Sequence, residues 1–438
     1  MKRIVYFLIF SSFLFSQNKR YIDFDAIDYP SAFSKQSSMA RPSFPPAFNK
    51  LKDPNVTGGK ISNFSQFYRY PNNISATLMP LGGGPDDLVE DQNGNLFITI
   101  GQSHLVHKID TNGIITIYAG SPGYVGYNGD DKLATEASLN APYGLALDTN
   151  GNLYIADSGS NMVRKVDSNG IISRVAGSTE GGGYSGDGGS ALEAKLQEPK
   201  GLVFDSAGNL YISERYRIRK IDTNGIISTF AGDGSDSYKG DGGAATSAGL
   251  DKPHHMTFDR QGNLYFADWS HNVVRKIDTN GKITLVYGVA GATGDSSNDP
   301  KRLNKPFGVS YERVKIDARG EDEDHLYIAD TYNHHIIQVV LRGAQAGEPS
   351  SGEAYVEAEN LWGEEGESGF DGDGDSNWDE TARFNILENM TTNFSSTATS
   401  VKAVYHVLDY GNERVRRIIE EENLTNNAET SSMTTIAG

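Results

Sequence analysis

The sequence predicts an all-β fold: a β-propeller of four-stranded antiparallel blades, six blades in all. The first observation is a recurring Gly-Asn-Leu segment that begins at Gly94, Gly151, Gly208 and Gly262, with spacings of 57, 57 and 54 residues. The second is that three further segments follow each copy in the same order. These end in Asn-Gly, in Ala-Gly or Tyr-Gly, and in Pro. A period near 50 with several strands in each unit is typical of a propeller or a repeat array.

The unit from Pro142 to Pro199 contains four predicted strands separated by turn signals. The strands are Gly144–Asp148, Asn152–Asp157, Met162–Val166 and Ile171–Ala176. The first alternates small and apolar residues, the second is nearly all apolar, and the third alternates charge with valine, as strands covered to different degrees do. Asn-Gly pairs between the strands tolerate positive φ, so they predict tight hairpins. Each unit is therefore one blade.

A Gly-Asp-rich connector joins each blade to the next. Ala134, Ala137, Leu139 and Pro142 define its spacing, and the same offsets recur at Ala191, Ala194, Leu196 and Pro199 and at Ala245, Ala248, Leu250 and Pro253. The pattern predicts a glycine loop and then one helical turn with its Ala and Leu side chains inward. Proline then begins the innermost strand of the next blade.

The last two units are less regular. Pro306 and His325–Asp330 define a fifth blade with a charged insertion, Arg313–Asp324, between its first two strands. Val404–Asp409, Gly411–Arg416 and Thr434–Gly438 define a degenerate sixth blade. Between these units, residues 343–382 form an acidic insertion with twelve Asp or Glu and no Lys or Arg.

The beginning of the chain predicts export. Lys2 and Arg3 precede an apolar run, and a small residue, Ser16, follows it, as in a cleaved signal peptide over residues 1–16. Residues 17–80 are predicted to be a partly disordered lead-in with an extra strand at 72–79, and residues 81–438 the propeller. We expect a secreted, periplasmic or cell-surface monomer without membrane insertion.

The absence of Cys excludes disulfides and thiolate sites. The net charge of −18 opposes nucleic-acid binding.

The repeats resemble the NHL family of six-bladed propellers. That family has the pattern Pro-x-Gly-Leu-Ala-x-Asp, Gly-Asn-Leu-Tyr-Ile-Ala-Asp and Asn-x-Val-Arg-Lys-Ile. Residues Pro142 to Lys165 match it closely, and Pro253 to Lys276 match in their later part. The resemblance covers about residues 80–340 and suits an exported bacterial protein of the family.

Candidate site residues are found where the repeats differ. A set that recurs, such as Asp157, Asn161 and Arg164 with Asp268, Asn272 and Arg275, is needed in every blade and is interpreted as an intrablade hydrogen-bonding set, not a catalytic one. The residues just after each blade-starting Pro vary, and they lie at the mouth of the central channel, where function is grafted onto a repeated frame. These channel-mouth candidates are Asp86, Asp87, Tyr143, Lys200, His254, His255 and Phe307.

Two related enzyme groups provide the alternative interpretation. Amidating lyases are zinc propellers whose metal-binding His residues follow the equivalent Pro, as His255 does here, but Gly144, Gly201 and Gly308 occupy that position in other blades. A zinc site needs about three protein ligands, so two of the ligands that such a lyase requires are missing here. Gluconolactonase-like propellers hold calcium in the channel, where Asp86 or Asp87 could supply one ligand.

The acidic insertion contains a second candidate metal site. Asp371, Asp373, Asp375 and Asn377 place oxygen donors at every second position, as a calcium loop begins. The same glycines and aspartates also fit a blade connector, so the sequence supports both interpretations.

The sequence therefore favours a non-enzymatic binding scaffold for protein or glycan partners, with no catalytic residues assigned and no cofactor beyond this calcium hypothesis. The alternative is a channel-mouth, metal-dependent lyase or lactone hydrolase. A third possibility is a purely structural module of a larger surface protein.

Overall fold

The computed structural model describes residues 73–79, 81, 83–292, 302–315, 322–342, 355–362, 387–396, 400–409, 414–423 and 428–437. These residues belong to one compact unit, Arg69–Gly438. They form six antiparallel sheets in chain order, so the chain is a six-bladed β-propeller and the predicted fold class is confirmed. No helix in these ranges is long and apolar enough to cross a bilayer. The predicted signal peptide, the lead-in up to residue 72 and the four candidate calcium ligands lie outside the described residues.

In each blade, the strand that lines the channel is followed outward by the next three strands in chain order, and in blades one and two a short preceding strand is added at the outer edge. Blade one contains β1 (Ile74–Ser75), β2 (Asp87–Glu90), β3 (Leu96–Ile100), β4 (Leu105–Ile109) and β5 (Ile114–Ala119), with β1 outermost. Blade two contains β6 (Lys132–Leu133), β7 (Pro142–Leu147), β8 (Leu153–Asp157), β9 (Met162–Val166) and β10 (Ile171–Ala176), with β6 outermost. Blade three contains β11 (Leu202–Phe204), β12 (Leu210–Glu214), β13 (Arg217–Ile221) and β14 (Ile227–Ala231).

The remaining blades have four strands each. Blade four contains β15 (Pro253–Phe258), β16 (Leu264–Asp268), β17 (Val273–Ile277) and β18 (Ile283–Gly288). Blade five contains β19 (Val309–Lys315), β20 (Asp322–Asp330), β21 (His335–Arg342) and β22 (Tyr355–Trp362). Blade six contains β23 (Leu387–Ser396), β24 (Ser400–Asp409), β25 (Arg414–Asn423) and β26 (Ala428–Ala437).

A side-chain-capped turn explains the recurring Gly-Asn segment. In blade two, Asp148 Oδ1 accepts the backbone N–H groups of Asn150 and Asn152, each at 2.9 Å. The Asn152 side chain donates to Asp148 Oδ2 at 2.7 Å. Between them Gly151 has a φ of 78°, a conformation that costs glycine nothing. Blades one, three and four repeat the arrangement at Asp91/Asn95, Asp205/Asn209 and Asp259/Asn263.

Each hydrophobic core lies between two neighbouring blades. For example, Phe97 and Val106 of blade one pack with Leu145 and Ile155 of blade two. Equivalent buried clusters join every neighbouring pair, including blade six to blade one. The innermost strands β2, β7, β11, β15, β19 and β23 each contact the next, and β23 contacts β2, so they line a central channel.

The connectors fold as the spacing predicts. The 3-10 turn at Ala134–Glu136 buries Ala134, and Ala137 and Leu139 are fully buried behind it. The Gly120 N–H, at the end of blade one, donates to the Ala134 carbonyl at 2.9 Å, which fixes the connector to the blade that it leaves.

A segment before blade one closes the ring. Ala76, Met79 and Leu81 repeat the connector spacing and are almost fully buried. They pack with Leu408 and Val415 of blade six, and the 3-10 turn Ala76–Leu78 contacts β26. The connector between the last and first blades is thus supplied by residues that precede the first blade. Of the extra strand predicted at 72–79, the described part forms the short strand β1 and then the 3-10 turn Ala76–Leu78.

Blades five and six depart most from the sequence-based outline. Within the acidic segment 343–382, β22 forms the fourth strand of blade five. The charged insertion continues the hairpin of β19 and β20, with Arg313 paired opposite Asp324. The sequence analysis did not identify β23, the innermost strand of blade six.

A buried arginine joins a connector to the third strand in several blades. Arg275 has no exposed surface and lies 3.1 Å from Asp268 and 2.9 Å from the connector residue Asp241. Its guanidinium also lies 5.0 Å from the Tyr238 ring. Blades two and three have the same arrangement, built on Arg164 and Arg219.

The asparagine of the recurring Asp/Asn/Arg set connects two blades. Asn272 accepts the backbone N–H of Lys305 at 2.9 Å, so it holds the beginning of blade five. The set therefore joins neighbouring blades as well as the strands of one blade, which extends the intrablade interpretation.

Candidate functional site

The residues that follow the blade-starting prolines occupy equivalent positions around the channel. Asp86, Tyr143, Lys200, His254 and Phe307 come from blades one to five, in that order. The strand pairing places Glu388 at this position in blade six, because Leu387 pairs with Asp409 as Pro142 pairs with Asp157. The repeat pattern does not predict Glu388 at this position, since no proline precedes it.

Three aromatic side chains from different blades meet at this level. The His254 and Phe307 ring centres are 4.1 Å apart, and Tyr143 lies 5.7 Å from Phe307 and 5.9 Å from His254. Trp269 extends the group, with its ring 5.7 Å from His254. Together they form an aromatic cluster contributed by blades two, four and five, in which His254 and Phe307 are buried and Tyr143 and Trp269 are partly exposed. Trp269 had no signal in the repeat comparison, because it follows the recurring Asp268.

Lys200 and Asp86 add charge beside this cluster. The Lys200 ammonium lies 3.7 Å from the centre of the Tyr143 ring, a cation–π contact. Asp86 accepts the backbone N–H of Gly101 at 2.5 Å. Burial raises the pKa of Asp86 to about 7, although the Gly101 hydrogen bond and the positive charge of Lys200 oppose the shift. Asp86 is therefore partly protonated near neutral pH.

His254 is neutral in this environment. Burial lowers its pKa well below the usual value, and the positive charges of Lys200 and Lys252 act in the same direction. Its backbone carbonyl accepts the Ser213 hydroxyl of blade three at 2.9 Å, which fixes the strand that carries it. The Thr99 hydroxyl of blade one holds the Tyr143 carbonyl in the same way at 2.6 Å.

Asp87 and His255 lie one residue further along their strands and approach each other across the channel. They belong to blades one and four, which are opposite in a ring of six, and Asp87 Oδ1 is 3.6 Å from His255 Nε2. Asp87 Oδ2 also accepts the backbone N–H of Leu145 at 2.6 Å. Burial lowers the pKa of His255 to about 3, so the imidazole is neutral.

Glycine occupies this second position where neighbouring strands are closest. A Cβ on Gly144 would lie 2.0 Å from the Lys200 carbonyl oxygen, and one on Gly201 would lie 2.3 Å from that of His254. A side chain is therefore excluded in blades two and three by the backbone of the next blade. Only a blade with more room can carry Asp87 or His255.

All seven channel-mouth candidates thus lie together, and we use "channel mouth" for these residues with Trp269. Neither the loop at Asp371 to Asn377 nor its relation to the channel falls within the described residues. In the described part of the chain, no group of three or more His, Asp or Glu side chains is arranged to hold a metal ion.

Comparison with known proteins identifies the repeats. The family model "Teneurin NHL domain" matches residues 120–184 and 181–239, which span the connectors and strands of blades two and three. The repeats of blades two and three are NHL repeats. They belong to a propeller with six blades.

Its relatives are much longer proteins. The chain is 26% identical over 324 residues to Protein SUPPRESSOR OF QUENCHING 1 of Arabidopsis thaliana, covering 67% of this chain and 30% of that protein. It is 33% identical over 153 residues to human Teneurin-4, covering 31% of this chain and 6% of that protein. The chain thus spans less than a third of the length of these relatives.

Solved structures support the fold. The NHL propeller superposes with a TM-score of 0.53 on an auxiliary nutrient binding protein from Bacteroides thetaiotaomicron, at 15% identity and covering 77% of this chain and 69% of that chain. A protein of the same description from Bacteroides ovatus gives 0.51, at 15% identity and covering 78% and 70%. At these identities the likeness concerns the fold alone.

Proposed function

We propose that this NHL propeller is an exported, non-enzymatic binding scaffold that takes a protein or glycan ligand at its channel mouth. The observation that carries the proposal is the convergence of the residues that differ between repeats. Side chains from five blades meet in one cluster of three aromatic rings, a lysine and a carboxyl group with a raised pKa. The repeated residues, in contrast, are engaged in holding blades together.

The composition of this cluster suits recognition. Aromatic rings provide large contact areas at a small cost in side-chain entropy, and the propeller holds them on rigid strands. The Thr99 and Ser213 hydroxyls fix the backbone beneath Tyr143 and His254. Solved propellers of similar fold are described as nutrient binding proteins, which is consistent with a binding role.

The export part of the proposal is supported by residues 1–16, whose basic and apolar segments are those of a cleaved signal peptide. The mass of the protein recovered from outside the cytoplasm tests it. We expect a chain that begins at Gln17, and an intact chain retained in the cytoplasm would contradict export.

A second candidate function is catalysis at the same place by a metal-dependent lyase or lactone hydrolase. The raised pKa of Asp86 favours it, because perturbed carboxyl groups in clefts are common in active sites. A metal centre here would need ligands beyond the groupings found among the described residues. Elemental analysis of the purified protein separates the two functions. One ion retained per chain and lost on mutation of Asp87 and His255 would favour the enzyme.

Calorimetric titration with a panel of neutral and acidic oligosaccharides and peptides tests the binding proposal. We expect at least one probe to bind and the change Tyr143→Ala to weaken it by about tenfold or more, since aromatic contact area is lost. Tyr124→Ala is the matched control, because Tyr124 is an exposed tyrosine on the connector between blades one and two. Equal effects of the two substitutions, or no binding by any probe, would contradict the proposal.

A further inference from the structure

Two lysines flank Trp269 at one side of the channel mouth. The Lys305 ammonium lies 4.2 Å from the centre of the indole ring, and that of Lys252 lies 5.1 Å from it. The two residues immediately precede the prolines that begin blades five and four. Their backbones are left-handed, with φ of 55° and 56°, as at the equivalent Ala141 and Glu198. The backbone conformation that recurs before each blade-starting proline therefore helps to place both side chains beside Trp269.

Within the described ranges, this pair of ammonium groups has no carboxylate at ion-pair distance. Among the described residues neither Lys252 nor Lys305 forms an ion pair, although the chain has 57 acidic and 39 basic side chains. Burial lowers the pKa of Lys305 and the neighbouring charge of Lys252 lowers it further, while Asp251 acts in the opposite direction. A local positive site thus persists on a strongly acidic protein.

The aromatic cluster, through its buried His254 and Phe307, connects this site to Lys200. From Trp269 it continues through His254 and Phe307 to Tyr143, whose ring carries the Lys200 ammonium at 3.7 Å. The arrangement is therefore a row of rings with positive charge at each end. Its complement is a ligand of linked rings with negative charge outside them.

The backbone at the channel mouth is already hydrogen-bonded. Tyr143 and His254 carbonyls accept side-chain hydroxyls, and the Gly201 N–H donates to Ser213 Oγ at 2.7 Å. The His255 N–H donates to the Phe307 carbonyl at 3.3 Å. A peptide that binds by adding a strand needs free backbone groups, so this surface does not favour it. A densely charged phosphate polymer is opposed by the net charge of −18.

We propose that the ligand of the channel mouth is an acidic oligosaccharide, whose sugar rings stack on the partly exposed Trp269 and Tyr143 while its carboxylates bind Lys252 and Lys305. This inference rests on the proposed binding function and names the ligand class. Lysine acts as a point charge toward carboxylate, so the charge of the sugar, and not a particular hydrogen-bond geometry, provides most of the selectivity.

Calorimetric titration with three probes tests the inference. These are a galacturonic acid tetrasaccharide, its fully methyl-esterified form, which keeps the rings and removes the charge, and tetraglutamate, which keeps charge without rings. We expect the free acid to bind, the ester to bind about tenfold or more weakly, and the free acid to lose affinity with added salt. If tetraglutamate binds more tightly than the free-acid tetrasaccharide, the ligand class is an acidic peptide and the glycan inference is wrong.

Variants link the selectivity to the two lysines. Lys252→Gln and Lys305→Gln should each weaken binding of the free acid by about tenfold, and Lys→Arg changes should restore most of it. Lys276→Gln is the control, because Lys276 lies on the third strand of blade four, away from the channel. Unchanged unfolding midpoints establish that the variants are folded.

The outcomes separate the two proposals. If the ester binds as tightly as the acid, or the lysine variants bind normally while Tyr143→Ala does not, the binding function stands and the acidic-sugar inference fails. The inference also fails if the galacturonic acid tetrasaccharide does not bind but another oligosaccharide or peptide of the panel used to test the binding function does. If nothing in either panel binds, both proposals fail.

Discussion

At the scale of single residues, Asp86 shows how a position can depart from the repeat and still be held by it. The position after the blade-starting proline is occupied by a different side chain in each of blades one to five. Asp86 retains a structural bond to the Gly101 N–H, yet burial raises its pKa to about 7. Because the fold accepts different side chains at this position, Asp86 is available for ligand binding.

The pH dependence of stability follows from this pKa. A carboxyl group whose pKa is higher in the folded state than its ordinary 3.8 binds its proton more tightly when folded. Its contribution to stability is therefore greatest at acid pH and falls as the pH rises from about 4 to about 7. Asp86→Asn should remove this fall, so the variant gains stability relative to the wild type at pH 8 but not at pH 4.

Urea unfolding at several pH values measures the effect. Asp110→Asn is the control of opposite sign, because turn hydrogen bonds lower the pKa of Asp110, and its contribution is lost only as the pH falls below about 4. A difference between wild type and Asp86→Asn that does not change with pH would contradict the assigned pKa.

At the scale of elements, the connector and the third strand depend on each other through the buried arginine. In blade four, Arg275 compensates the charges of Asp268 and Asp241 at the same time. The Gly249 carbonyl also accepts from its Nη1 at 2.8 Å. The recurrence of Tyr, Gly and Asp in the connector thus has a physical cause, since each blade must anchor the chain that enters it.

Replacement of this arginine should be among the most destabilising single changes. Arg275→Met keeps the apolar volume but leaves two carboxylates buried or half-buried without their cation, so we expect a loss of about 3 to 5 kcal/mol in the free energy of unfolding. Arg417→Met, on the exposed face of β25, should change it by less than about 0.5 kcal/mol. Chemical denaturation of both variants gives the comparison, and a small effect at Arg275 would contradict the role assigned to it.

At the scale of the whole molecule, ring closure depends on the seam formed by Ala76, Met79 and Leu81. These residues fill the space between blades six and one that connectors fill elsewhere. Leu81 is 1% exposed and its counterpart Leu139 is fully buried, so the two should contribute alike.

Leu81→Ala and Leu139→Ala should therefore each lower the free energy of unfolding by about 2 to 5 kcal/mol, the usual cost of a cavity at a buried leucine. Leu133→Ala, at a side chain that is 48% exposed, is the control and should have little effect. Thermal or urea unfolding measures all three. A neutral Leu81→Ala would show that the seam does not close the ring.

Much of this architecture could be predicted from the sequence because its signals are local. The Asp-Asn turn pairs, the strand alternation around Met162–Val166 and the connector spacing each depend on contacts within a few residues. The sequence missed β23 and the connector role of residues 76–81, where the blade-starting proline is absent or shifted. Variation between the repeats predicted the seven channel-mouth candidates, but not Trp269, Lys252 or Lys305.

The sequence by itself determined the blade, its turns and the number of repeats, since short-range sterics and hydrogen bonding suffice to specify them. The tertiary structure decided which distant residues meet. Asp87 faces His255 only because blades one and four are opposite in a closed ring of six, and Trp269 meets Lys305 only because neighbouring blades pack face to face. Convergence depends on the rotation between blades, and that rotation arises from interblade packing that no local pattern encodes.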